Sequence, residues 1–171
     1  MNAVSPYTIL QESPEHAADV EALYDDVFGP GRFAKTVERL REGNAPIPEA
    51  CLVAVDDKGL TGVVRLWPVT VGDGGRAALL GPLAVAARRR GNGVAFKLME
   101  QAIAVCAEQG YPAVVLVGDE SYYTRAGFRR SEPGRFALPG PVDPKRVLVR
   151  ELSAEGAGLN GLLSVPRALR L

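Results

Sequence analysis

Residues 79–108 constrain this chain more than any other segment. An apolar stretch (Leu79, Leu80, Gly81, Pro82, Leu83, Ala84, Val85) leads into a basic glycine loop (Arg88, Arg89, Arg90, Gly91, Asn92, Gly93). After it, Ala95, Leu98, Met99, Ala102, Ile103, Val105 and Cys106 recur at helical spacing until Gly110,. A strand that turns through glycine into a helix aims unpaired first-turn N–H groups at one point, at the positive end of the helix dipole. An anion is expected there. Residues 113–117 then form a short, continuously apolar run, the pattern of a strand buried on both faces,. Strand, helix and strand in this order predict a βαβ unit with parallel neighbouring strands.

The other elements follow from the period of the apolar residues. Residues 7–11 predict a short strand. Ser13, Pro14 and Glu15 then supply an N-cap, a helix-opening proline and an acidic first turn for a helix to Phe28, with Val20, Leu23, Tyr24 and Val27 on one stripe,. The run Phe28, Gly29, Pro30, Gly31, Arg32 breaks it, and residues 34–42 predict a second helix closed by Gly43,. Residues 51–55, 60–71 and 77–85, separated by turn sequences, predict a three-strand antiparallel meander,. A short helix over 122–126, a strand starting at Phe128 and a strand over 146–152 complete the pattern. Residues 153–171 carry no assignable period. The expected fold is α/β (α+β): a mixed sheet with an antiparallel N-terminal meander and a splayed parallel strand pair around a central βαβ unit. One domain over 1–171, with its core at about 7–152, accounts for this length.

Charge and residue inventory exclude several functions. Twenty basic and twenty acidic side chains give a formal net charge of zero, which offers no field for nucleic acid or an anionic membrane,. No apolar run approaches the roughly 20 residues needed to span a bilayer, and the first residues lack a signal core, so the chain reads as cytoplasmic. Two cysteines, Cys51 and Cys106, and one histidine, His16, make neither a disulfide framework nor a metal cluster,.

The identity of the anion is narrowed by what the loop lacks. A Walker loop needs Gly, Lys and Ser or Thr in an order absent here, and the dinucleotide fingerprint needs a third glycine where Phe96 stands,. Pro82 adds the decisive constraint. Proline cannot donate to a sheet ladder and enters central strands only at bulges. A bulge at Gly81 and Pro82 would turn the strand from its parallel neighbour and leave backbone groups of Leu83, Ala84 and Val85 for an extended, amide-containing ligand. An amide-bearing arm ending in a pyrophosphate, held by Arg88, Arg89, Arg90, Gly91, Asn92, Gly93 and Val94, describes coenzyme A.

These features resemble the GNAT acetyltransferase superfamily. Its pyrophosphate motif is Arg or Gln, two residues, Gly, one residue, Gly or Ala, which Arg88 to Gly93 match; Tyr123, Thr124, Arg125, Ala126, Gly127 and Phe128 resemble its Tyr, three residues, Gly-Phe segment. Many members carry Asn after the second strand of the unit, where this chain has Gly118 and Asp119. The resemblance implies direct acetyl transfer from acetyl-coenzyme A to an amine of a small molecule or protein, without a covalent enzyme intermediate. A homodimer is compatible with it. Backbone N–H groups at the bulge would polarise the thioester carbonyl. Tyr123, a phenol with a reference pKa near 10, suits protonation of a thiolate leaving group near 8.5. Phe28, Arg32, Phe33, Arg65 and Trp67 are the expected acceptor-pocket residues, with Arg32 pairing an acceptor carboxylate. A non-catalytic acyl-coenzyme A-binding module on the same scaffold is the alternative, because the phosphate loop serves binding in both.

Overall fold

The structure, a computed structural model, describes residues 6–167. Strands β1 (Thr8–Gln11), β2 (Leu52–Asp56), β3 (Gly59–Val71) and β4 (Gly75–Val85) pair in antiparallel succession. Helix α1 (Ala17–Phe28) lies between β1 and β2 in the chain, and α2 (Val94–Glu108) joins β4 to β5 (Ala113–Val117). The remainder comprises α3 (Glu120–Tyr123), β6 (Arg129–Arg130), β7 (Phe136–Ala137), β8 (Val147–Glu151), α4 (Ala154–Ala157) and β9 (Gly161–Ser164). The sheet runs β1-β2-β3-β4-β5-β8-β6, with β9 attached to β3 and to β7. Among the described residues only β4 with β5 and β7 with β9 are parallel pairs, so the sheet is mixed.

Alternation along the strands divides the core between the two faces. Val64, Leu66, Ala78, Leu80, Val114, Leu116 and Leu148 pack under the apolar stripe of α2, which contributes Leu98, Met99, Ala102, Ile103 and Cys106. On the other face, Val20, Leu23 and Tyr24 of α1 cover Val53, Val63 and Ala84. Further along that face Leu40, Val69, Val71, Leu79, Val115, Val149, Leu159 and Leu163 form a separate cluster. Strand β5 contributes to both sides, as its unbroken apolar run requires,.

Three expectations are corrected. Residues 34–42 are not a second helix: two 3-10 turns, Pro30–Ala34 and Thr36–Leu40, flank an extended Lys35. Tertiary bonds hold this segment instead. Thr36 Oγ1 donates to Pro141 O, Arg39 Nη1 to Pro139 O at 2.6 Å, and the Asn44 side-chain amide to Leu40 O and Pro68 O at 2.9 and 2.8 Å. Phe128 does not start a strand; its ring is buried and β6 begins at Arg129. The segment after 153 contains α4 and β9, and β9 aligns Leu163 with Val71 and Ser164 with Thr70. No helix among the described residues is long and apolar enough to cross a membrane.

Candidate active site

Strand β4 pairs with β5 only at Ala78 with Val114 and Leu79 with Val115, after which the two separate. The cause is visible on the β3 side. Val64 aligns with Leu83 but Leu66 with Leu80, so Gly81 and Pro82 together oppose Arg65 and form a bulge,. The peptide between them is cis. Both carbonyls of the bulge are taken by side chains: Trp67 Nε1 donates to Gly81 O at 2.7 Å, and the Tyr24 hydroxyl to Pro82 O at 3.0 Å. Tyr24 is fully buried in α1, and burial pushes its phenol far above the ordinary value, so it remains a donor.

Beyond the bulge the ladder fixes which backbone groups face the gap. Ala86 N–H bonds Thr61 O at 2.8 Å, and the register then turns the groups of Ala84 towards Val63,. Those of Leu83 and Val85 point away from β3, towards the space β5 has left. Ala84 instead buries its methyl group against α1.

At the end of β4 the glycine loop delivers α2. Gly91 and Gly93 have φ of 83° and 78°, left-handed values that favour glycine, and Gly93 caps α2,. The helical ladder starts with Lys97 N–H to Gly93 O, leaving the first-turn amides of Val94, Ala95 and Phe96 outside it,. Gly62 sets the seat of this turn, since a Cβ there would stand 3.1 Å from Val94 Cγ1 and 3.0 Å from Leu98 Cδ1.

The three arginines of the loop are not equivalent. Arg88 pairs with both oxygens of Asp56 at the end of β2, and Arg89 Nε reaches the same carboxylate at 2.8 Å. The Arg88 hydrogen bond, chiefly, holds the Asp56 carboxyl well below the usual carboxylate range. Arg89 is buried against the Tyr7 ring, whereas Arg90 is exposed and makes no ion pair among the described residues. Arg88 and Arg89 thus brace the loop, and Arg90 is the arginine open to a phosphate.

Tyr123 stands at the other wall, just past β5. Its ring packs edge-on to Tyr122 and Phe128, with centroids 4.9 and 6.0 Å away. A Cβ on Gly118 would come within 2.5 Å of Tyr123 Cε2, so the glycine at this position makes room for the tyrosine ring. Burial, reinforced by Tyr122 and Asp119, pushes the Tyr123 phenol up to about 12, and its hydroxyl has no hydrogen-bond partner among the described residues. Asp119 and Glu120 are ion-paired, to Arg146 and to Arg130 (2.9 Å).

The acceptor-side expectations are redistributed. Arg32 is already engaged by Glu21 at 2.7 Å and Asp25 at 3.1 Å, which removes it as a free carboxylate receptor. Phe33 is exposed and stacks beneath Arg32; Phe28 lies beside Tyr24 with Lys35 over its ring. Arg65 and Trp67 share the α1 face of β3, as alternation predicts, between its two apolar clusters,. Arg65 is bound to Glu12 at 3.0 Å, and Trp67 supports the bulge. Sequence reasoning missed Tyr24, Glu12 and Arg41. Only Tyr24 carried a signal: a tyrosine within a buried apolar stripe must find a partner for its hydroxyl. Cys51 and Cys106 are buried free thiols raised to about 11 and 12, so neither is a nucleophile at neutral pH.

Residues 17–128 match the model of the acetyltransferase (GNAT) family. The N-acetyltransferase YhbS of Escherichia coli (strain K12), itself described as uncharacterized, is 38% identical over 155 residues, spanning 89% of this chain and 92% of its own. The crystal structure of that E. coli GNAT family enzyme in complex with CoA superposes with a TM-score of 0.81 at 30% identity, covering 100% of this chain and 96% of that one. A GNAT family acetyltransferase from Brucella melitensis in complex with acetyl-CoA gives a TM-score of 0.60 at 28% identity, over 89% of this chain and 99% of its own. The chain belongs to the GNAT acetyltransferase family. It is an acetyl-coenzyme A-dependent N-acetyltransferase.

Proposed function

We propose that the gap between β4 and β5 receives the amide arm of acetyl-coenzyme A, with Leu83 and Val85 as its backbone partners. The amides of residues 93–96, with Arg90, hold the pyrophosphate. The observation that carries this reading is the early separation of β4 from β5, beside a bulge whose two carbonyls are fixed by Trp67 and Tyr24. The free backbone edge fits an extended amide chain, and the left-handed glycine loop fits a diphosphate. The relatives solved with CoA and acetyl-CoA support a coenzyme A ligand.

Acetyl-coenzyme A supplies an activated acetyl group and a thiolate that needs a proton on release. Tyr123 donates that proton. Its phenol is held protonated through the physiological range and has no internal partner to compete for it,. Backbone N–H groups next to the bulge polarise the thioester carbonyl. The carboxylates around the site are ion-paired, Glu12 to Arg65, Glu38 to Arg41 and Asp119 to Arg146, so the acceptor amine gives its proton to water in the cleft. The acceptor, an amine of a small molecule or an exposed protein amine, enters from the α1 side, past Arg65 and Trp67. The chain acts as one domain, because β9 from its last segment completes the sheet beside β3.

Thiol release measured over a panel of amines, with calorimetric titration of coenzyme A on the same sample, tests this. Saturable coenzyme binding with amine-dependent thiol release is expected. Coenzyme binding without thiol release on any amine would overturn it.

A further inference from the structure

Arg41 was absent from the sequence expectations and is the least satisfied cation beside the bulge. It follows the 3-10 turn Thr36–Leu40, whose last residue, Leu40, is buried in the α1-face cluster. The segment is fixed on two sides: Asn44 reaches Pro68 O at 2.8 Å and Ile47 N–H bonds Leu66 O at 2.8 Å, while Arg39 grips Pro139 O at 2.6 Å. Arg41 therefore has little freedom to swing into solvent. Its side chain is 11% exposed, and one contact, Nη1 to Glu38 Oε2 at 3.0 Å, is its only hydrogen bond among the described residues.

A guanidinium carries five N–H donors in a rigid fork. Here Nε is buried without a partner. Nη2 also makes no bond among the described residues, and it lies only 2.8 Å from where a Cβ on Gly81 would stand. The free edge of this cation is aimed at the bulge where the acetyl group is to be transferred. The other arginines nearby differ: Arg65 is held by Glu12, and Arg32 by Glu21 and Asp25. Burial disfavours the Arg41 charge, and Glu38 offsets this only in part. A half-satisfied, nearly buried cation at a ligand entrance is matched by a planar anion that takes its remaining donors.

We propose that the acceptor carries a carboxylate close to its reacting amine, and that Arg41 binds that carboxylate beside Gly81. This rests on the acetyl-transfer reading of the same site and names the class of acceptor: amino acids or related short amino carboxylates. Arg41 is a specificity residue in this account. Arg32, expected to pair such a carboxylate, already meets Glu21 and Asp25 through Nη2.

The test compares matched acceptors, each an amino carboxylate and its carboxamide, in wild-type protein and in Arg41→Gln and Arg41→Lys, by thiol release. In wild type the carboxylate member is expected to be preferred by at least about 10-fold in kcat/KM, the discrimination of one charge-assisted hydrogen bond. Arg41→Gln should bring that ratio near 1, and Arg41→Lys should restore part of it. Equal use of both members by wild type overturns the inference while leaving acetyl transfer standing, even where Arg41→Gln fails to fold. Equal loss on both members in Arg41→Gln also overturns it, since that is the mark of a group acting on the thioester carbonyl instead. No turnover with any of these pairs, on protein that releases thiol with another amine, overturns the inference alone; no thiol release on any amine despite calorimetric coenzyme binding overturns the acetyl-transfer reading, and the inference with it.

Discussion

Tyr123 and Gly118 behave as one unit, although only the tyrosine stands out in the sequence. The ring occupies the space a side chain at 118 would fill, with 2.5 Å between Tyr123 Cε2 and the position of that Cβ. Gly118→Ala should therefore displace the ring, destabilising the protein by about 1–3 kcal/mol as overpacking does, and lowering kcat. Urea unfolding alongside thiol release would show both effects. The phenol also fixes a pH expectation. Its value is raised, to about 12, so the protonated form that donates is fully present below that value and is lost only as pH rises through it,. A pH–rate profile should show no alkaline loss from this group up to about pH 10, the reference value for a free phenol. A fall near pH 9 would show either that another group titrates or that Tyr123 is less enclosed. The departure at Gly118 was legible as an absence of Asn; its physical meaning needed the ring's position.

At the scale of elements, the bulge, the loop and α2 act through residues that hold them in place. Tyr24 and Trp67 hold the two carbonyls of the bulge from opposite ends of the α1 face. Tyr24→Phe keeps the ring packed and leaves the part-buried Pro82 O without its donor, a loss of about 0.5–1.5 kcal/mol for one neutral hydrogen bond,. Chemical denaturation should show it, with a rise in KM for acetyl-coenzyme A as the strand relaxes. Asp56 has the same relation to the loop. Asp56→Asn should lower the melting temperature and raise KM for acetyl-coenzyme A by roughly 5–10-fold, with a smaller effect on kcat, because it frees Arg88 and Arg89 without touching Tyr123. Because the folded carboxyl titrates below its unfolded value, the stability it contributes is present above about pH 4 and lost as pH falls further,. Acid unfolding of wild type against Asp56→Asn measures that difference. The strand, loop and helix were legible because glycine, proline and helical periodicity are local signals. The supports of that unit were not, because Asp56, Tyr24 and Trp67 meet it through contacts more than thirty, fifty and ten residues away in sequence. Residues 34–42 failed for a related reason: their helical pattern yields to side-chain bonds with 139–141, which no local period reveals.

For the whole molecule, the mixed sheet ties the first and last described strands, β1 and β9, to the meander that carries the site. β9 was invisible in the sequence, being four residues in a glycine-rich segment, yet it pairs with β3, the strand that carries Arg65 and Trp67. Leu163 is 2% exposed in the cluster containing Val71 and Leu159. Leu163→Ala should cost about 2–5 kcal/mol, the range for a buried leucine, while the protein that remains folded keeps its coenzyme affinity. The βαβ unit, the antiparallel meander and the parallel splay were all readable from strand order and Pro82, whereas the ion pairs that occupy Arg32 and Arg65 were not, because they join residues 11 and 53 positions apart in sequence. The central claim is that this scaffold binds the coenzyme through backbone groups and protonates its thiolate through Tyr123. Tyr123→Phe tests it most directly, because the hydroxyl has no internal partner and the ring can stay in place. Steady-state kcat for acetyl transfer should fall by at least about 10-fold while the calorimetric Kd for coenzyme A stays within about twofold. An unchanged kcat, or an equal loss of coenzyme affinity, would contradict the account.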